Sequence, residues 1–364
     1  MRRAPFPSAS LPCSTRSLRA HVKTVALAAA LVGAASASQA QSSVQLYGLL
    51  DVSAGQFQNA GGLKVKRLDS GNLSTSYIGF KGTEDLGGGL RASFQLESFL
   101  LVDSGGASRV PGVDAFWARN ANVSLSGGFG TVKLGRMGPP LFVSTLLFNA
   151  WGDSFGYSPS IRQYYNAPYG TALVGDSGWN NAVQYSMPSL GGLSANVMVA
   201  AGEGAATAKG KNIGANALYF AGPLALTVAW QDVKAQGTLG RPISAFPGFV
   251  NQTAFQVGGS FDAKVVKVFA QYGKVKTDAT RDVEVTNLHF SAKVPVGAGA
   301  FIAGYGNSEI ETAGSATKPK SKMLTVGYDY NLSKRTTVYG LFMQDKFTGL
   351  STGNTIAAGI RHTF

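Results

Sequence analysis

Residue types that activate nucleophiles or hold metals are scarce in this 364-residue chain. Its one cysteine, Cys13, stands near the N-terminus, and beyond residue 40 the only histidines are His289 and His362. A Ser-His site needs an imidazole within hydrogen-bond reach of the hydroxyl and a third group to orient it. His362 falls on the oily face of an alternating segment, so His289 is the single candidate, and an enzyme is the remote reading. No spacing of His, Cys, Asp or Glu suggests a metal site, and the 47 glycines are spread through the chain without a phosphate-cradling motif. No cofactor is expected. What remains is charge: 32 Lys and Arg against 19 Asp and Glu, a formal +13. Such an excess points to nucleic acid, a membrane surface or acidic solutes. The bases are scattered without a dense run, which speaks against nucleic acid.

Location changes the meaning of that charge. Arg2, Arg3, Arg16, Arg19 and Lys23 precede the apolar run Thr24 to Ala35, and Ser36-Ala37-Ser38-Gln39-Ala40 follows. This is a basic region, a short apolar region and a small-x-small cleavage site, so residues 1–40 read as a secretory signal cut between Ala40 and Gln41. The apolar run is too short for a membrane anchor, which needs roughly 20 residues. The remaining 324 residues carry 27 bases against 19 acids, +8, and no cysteine. A secreted chain of this kind obtains its stability from packing or closure instead of disulfides.

The elements that must position the charges are strands. In Val44-Gln45-Leu46-Tyr47-Gly48-Leu49-Leu50-Asp51-Val52-Ser53 apolar and wetter positions alternate, the period of a pleated strand with two different faces. Leu90, Ala92, Phe94 and Leu96 oppose Arg91, Ser93, Gln95 and Glu97 in the same way, and Ile356, Ala358 and Ile360 oppose Ala357, Gly359 and Arg361. About sixteen such segments are joined alternately by short turns, such as Asp85-Leu86-Gly87-Gly88, and long polar loops, such as 201–211 and 234–252. That is an up-and-down meander. A sandwich or a closed barrel accommodates it. Sixteen strands of about ten residues behind a secretory leader favour an all-β, 16-stranded antiparallel transmembrane barrel, because an open strand edge in hydrocarbon costs several kcal/mol per backbone group.

The segments Leu46-Tyr47-Gly48-Leu49-Leu50-Asp51, Gly79-Phe80-Lys81-Gly82-Thr83-Glu84-Asp85-Leu86-Gly87-Gly88-Gly89-Leu90, Phe129-Gly130-Thr131-Val132-Lys133-Leu134-Gly135-Arg136 and Tyr328-Asp329-Tyr330-Asn331-Leu332-Ser333-Lys334-Arg335, with the terminal Phe364, resemble the trimeric general porins of Gram-negative outer membranes. The likeness is greatest to their β-proteobacterial type. It implies a multi-pass outer-membrane protein, a homotrimer in outer-membrane lipid, and passive diffusion of ions and small hydrophilic solutes. It also implies a long loop folded into the lumen as a constriction, here residues 137–178, and a Phe364 signal to the barrel assembly machinery.

Selectivity would then rest on charges at a narrow neck. The resemblance places a wall arginine at Arg119. Tyr77 and Gly178 stand where relatives commonly carry bases, so Arg67, Lys81 or Arg162 would have to substitute. On the loop, Asp153 and Asp176 are the only acids, among many aromatic residues. By alternation Lys81, Arg91, Arg119, Lys267, Lys293 and Arg361 face inward against Asp51, Glu97 and Asp329, predicting a weak to moderate anion preference. With Arg119 inward, Asn120 and Asn122 would face outward and, with Arg136, form the trimer interface. The alternative within transport is a substrate-selective channel with an aromatic-lined neck.

Overall fold

A computed structural model describes residues 43–109, 112, 114–166, 173–202, 210–235 and 241–364; the expected leader and its cleavage point at Ala40 and Gln41 lie outside the described residues. The strands are β1 (Ser43–Phe57), β2 (Val65–Ser70), β3 (Tyr77–Gly87), β4 (Leu90–Leu101), β5 (Gly106–Ala107), β6 (Asn120–Gly127), β7 (Gly130–Met137), β8 (Trp179–Ser186) and β9 (Leu193–Ala200). They continue as β10 (Asn212–Ala221), β11 (Leu224–Val233), β12 (Asn251–Asp262), β13 (Lys267–Asp278), β14 (Val283–Val296), β15 (Gly299–Thr312), β16 (Lys320–Asn331), β17 (Thr336–Phe347) and β18 (Gly353–Thr363). Apart from the short β2 and β5, each strand pairs antiparallel with its neighbour in the chain, giving a closed barrel of sixteen. The seam joins β1 to β18 from Leu49↔Thr363 to Gln56↔Ile356. Phe364 completes it with two backbone hydrogen bonds to Gly48, each 3.1 Å, and its ring covers that glycine.

Alternation does what the pleat requires. Outward positions such as Val123, Leu134, Phe301 and Ile356 are exposed large apolar residues, a belt suited to hydrocarbon, while inward Ser53, Gln256, Gln271, Asn287 and Thr325 are buried. The β3–β4 turn shows why the glycines cluster there. Gly87, Gly88 and Gly89 have φ of 83°, 60° and 81°, a left-handed run that side chains resist.

One strand departs from the expected parity. Glu97 pairs with Asn120 and Gln95 with Asn122, so both asparagines face inward with their partners, and Ala121, Val123 and Leu125 face outward. Asn122 is buried. Arg119 precedes the strand, so its direction says nothing about the alternation that follows. The outward, interface placement of Asn120 and Asn122 is therefore corrected.

The segment between β7 and β8 turns into the lumen. Helix α1 (Pro140–Leu147) lies on β10 and β11, where Ser144 Oγ and Thr227 Oγ1 share a 2.9 Å hydrogen bond and Asn216 Nδ2 donates to Pro140 O at 3.0 Å. Farther on, Ala150 N donates to Ser291 Oγ at 2.9 Å, Ser160 Oγ to Gln271 Oε1 at 2.6 Å, and Thr325 Oγ1 to Tyr157 O at 2.8 Å. His289, the one imidazole available for nucleophilic chemistry, is buried beneath this loop, 2.8 Å from Gln163 Oε1.

Glycines in the wall make room for the loop's rings. A Cβ at Gly304 would lie 2.8 Å from Trp151 Nε1, one at Gly327 3.0 Å from the same indole, and one at Gly258 3.3 Å from Phe148. Gly273 leaves a notch for the Tyr164 hydroxyl. Filling such a notch forces backbone or rotamer shifts worth about 1–3 kcal/mol. Gly304→Val is thus expected to lower the thermal unfolding temperature in detergent and to alter single-channel conductance, whereas the same change at Gly128, where a Cβ would meet nothing within 4 Å, leaves both unchanged.

Candidate functional site: the constriction

The loop lies against the inner faces of β10–β17, and residues of β1, β3, β4, β6 and β7 line a cavity of about 310 Å³. Its wall carries Lys81 and Lys133 among Gln45, Gln95, Asn122 and Ser124. Lys133 lies opposite Ser124 in the ladder, on the inward face that the Val132/Leu134 alternation gives it. Above the cavity, Arg119 donates to Glu97, and its guanidinium lies 4.0 Å from the centroid of the Tyr77 ring. Lys81 stands 4.6 Å from the Tyr47 ring, which meets Tyr77 edge to face. Tyr77 thus takes the place of a wall base by carrying Arg119 on its face, a favourable cation–π arrangement.

The facing acids are mostly engaged. Glu97 is buried and also accepts from Tyr47 Oη at 2.5 Å, Gln95 Nε2 at 2.8 Å and Asn120 Nδ2 at 2.5 Å. Asp51 is buried, accepting from Leu73 N at 3.1 Å and Tyr339 Oη at 3.2 Å, with Arg361 as its ladder partner. Arg361 in turn donates to Ser74 Oγ at 3.3 Å. From the loop side, Asp153 faces this group: burial pushes its carboxyl up, while Arg119, Ser74 and Arg361 pull it down without cancelling the rise. The neck therefore sets a loop carboxylate against Arg119 and Arg361.

Other expected pore residues lie elsewhere. Arg162 is buried within the loop, bonded to Asn59 Oδ1 at 2.8 Å and Gly156 O at 3.2 Å and paired with Asp345 at 3.8 Å. It ties the loop to β17. Arg67 pairs with Asp69 at 2.8 Å and stacks 4.6 Å from the Phe57 ring, in an outer vestibule of about 840 Å³. Arg91 is exposed at the short-turn end, opposite Asp85, below the neck.

A staple missed in the sequence holds the loop's return. Arg109 is bonded to Asp114 at 2.8 and 2.9 Å and to both oxygens of Asp176 at 3.0 and 3.1 Å. Burial works against the Asp176 charge, but Arg109 and then Arg136 outweigh it and hold the carboxyl below the usual range. Arg136 donates to Gly178 O at 3.1 Å, Asn180 Oδ1 at 2.7 Å and Ala118 O at 2.5 Å, and pairs with Asp176 at 3.5 Å. Arg136, expected at the trimer interface, makes this ion pair within the chain, because the loop returns beside the end of β7. The one sequence signal for this staple was an acid, Asp176, set just before the loop rejoins the barrel.

Because burial raises Asp153, acidification discharges it before ordinary surface carboxylates and removes the loop charge that faces Arg119 and Arg361. The anion-to-cation permeability ratio, read from reversal potentials, is expected to rise as pH falls. In Asp153→Asn the ratio is expected to be high throughout and that step lost; a variant that keeps the wild-type step removes Asp153 from the neck.

With this geometry established, comparison with known proteins is specific. A family model for Gram-negative porins matches residues 26–350. The outer membrane porin protein 32 of Delftia acidovorans is 33% identical over 359 residues, 93% of this chain and 95% of that protein. An anion-selective porin from Comamonas acidovorans, solved as a structure, is 28% identical with a TM-score of 0.74, covering 89% of this chain and all of the other. An outer membrane protein of Vibrio cholerae, solved in a trimer form, shares the fold at a TM-score of 0.67 and 16% identity, over 89% of this chain and 99% of that one. A closed barrel with a belt of exposed apolar residues, a loop seated in its lumen and a family match across nearly the whole chain agree: the chain belongs to the Gram-negative porins.

Proposed function

We propose that this porin forms a homotrimeric outer-membrane channel for passive diffusion of ions and small hydrophilic solutes, with a weak to moderate preference for anions. The observation that carries the preference is the imbalance of usable charge at the neck. Lys81, Lys133, Arg119 and Arg361 stand on the wall; Glu97 pairs with Arg119, Asp51 lies opposite Arg361, Asp153 faces both arginines from the loop, and among the described residues Lys81 and Lys133 have no acid paired with them. Fixed charges at close quarters set which ion enters a narrow aqueous neck. The anion-selective relative supports the sign, and the trimer form of the Vibrio cholerae protein supports the assembly. Residues 1–40 act as the secretory signal, cut between Ala40 and Gln41. Phe364 serves the barrel assembly machinery before its backbone closes on Gly48.

The outer vestibule favours a second reading. Phe57, Phe99, Phe155 and Tyr157 line it, and guanidinium groups of Arg67 and Arg109 lie on the first two rings. Such a surface suits an amphipathic solute, as in a substrate-selective channel. Liposome swelling with neutral sugars of increasing size distinguishes a plain size cutoff from preference.

Recording in planar bilayers under a salt gradient tests the main reading. Conductance is expected to appear in groups of three equal steps, with a reversal potential on the anion side that moves toward zero in Arg119→Ala with Lys81→Gln. Single independent steps contradict the trimer, and a cation-side reversal potential contradicts the preference.

A further inference from the structure

Away from the lumen, the long-loop ends of β15, β16 and β17 carry a cluster of charge on the outer face, just above the apolar belt. Outward Leu324 and Val326 are succeeded toward the rim by Lys322 and Lys320, and Lys322 stands directly opposite Lys346 on β17. Directly opposed residues in an antiparallel ladder have Cβ atoms about 4.5–5.5 Å apart, and like charges there are destabilising. Neighbouring lysines are neutralised: Lys320 pairs with Glu309 at 2.5 Å, Lys318 with Glu311 at 2.6 Å, and Lys274 with Glu284 at 2.5 Å. Among the described residues neither Lys322 nor Lys346 has an acidic partner. Their other neighbours are neutral: Asn307 lies opposite Lys322 on β15, and Gln344 precedes Lys346 on the same face.

We propose that Lys322 and Lys346, with Asn307 beside them, bind a phosphate group on the headgroup of an outer-leaflet lipid. The inference rests on the outer-membrane setting and not on the solute the pore carries. Two exposed ammonium groups at one ladder position are stabilised by a doubly charged oxyanion between them. The acyl chains of the same molecule would lie along Leu324, Val326 and Tyr305, which continue the outward face below. A free anion gains nothing from that apolar surface, so the arrangement favours a lipid over inorganic phosphate.

The test uses the full mature trimer in phosphatidylcholine nanodiscs, titrated separately with lipid A, with lipid A stripped of its phosphates, and with inorganic phosphate. Thermal unfolding and the lipid retained in native mass spectra are read together. Lipid A is expected to be retained and to raise the unfolding temperature, and the other two probes are not. Lys322→Gln with Lys346→Gln is expected to weaken lipid A binding about twenty-five-fold, at about fivefold per lysine near a charged surface. Lys64→Gln with Lys66→Gln, an equal loss of charge elsewhere on the chain, keeps wild-type affinity. Unchanged binding in the first variant overturns the proposal, as do equal binding of the phosphate-free lipid, an equal shift with inorganic phosphate, or equal weakening in the second variant. Retained heat-modifiable mobility and single-channel conductance establish that both variants are folded.

Discussion

Pairing of every backbone amide across the hydrocarbon, completed at the seam between β1 and β18, is the condition from which the rest of this molecule follows. An open edge would leave unsatisfied groups costing several kcal/mol each. Once the sheet closes, each strand must present one face to lipid and the other to the lumen. The apolar face is thereby committed outward, and the inner face is free to be polar. The terminal Phe364 belongs to this constraint, since its backbone extends the seam and its ring fills the space that Gly48 leaves.

A closed barrel of sixteen strands is too wide for its own side chains to fill. The loop between β7 and β8 narrows it. That loop is seated against the wall by hydrogen bonds to Ser291, Gln271, Thr227 and Thr325, and by rings set against wall glycines. Its return is held by the Arg109, Asp176 and Arg136 group. The proposed selectivity rests on the uncovered side, where Tyr77 carries Arg119 and Lys81 and Lys133 line the cavity.

Much of this was legible in the chain. Alternation along segments such as Val44 to Ser53 gave strand direction, and the long gap after Arg136 marked the inserted loop. Parity failed at Asn120 because it was extended from Arg119, which lies outside β6 and reaches inward by bonding Glu97. Arg136 has outward parity, yet its partner Asp176 stands forty residues away, a pairing set by the loop's return. In the sequence Arg162 is one of three bases that could replace a missing wall base, whereas its buried partner Asp345 lies on a distant strand. Most loop aromatics, Tyr164, Tyr165 and Phe148 among them, seat the loop and are withdrawn from the water path.

The central claim is that the loop is a fixed insert and that wall charges facing it decide what passes. Joining it covalently to the wall tests this most directly, and the chain beyond residue 40 has no cysteine to interfere. Ala150 and Ser291 are neighbours through a 2.9 Å hydrogen bond. The disulfide between Ala150→Cys and Ser291→Cys is expected to form on oxidation and to leave single-channel conductance and reversal potential as they are in the reduced form. A large change in either on cross-linking would show that conduction depends on movement of the loop, contradicting the account.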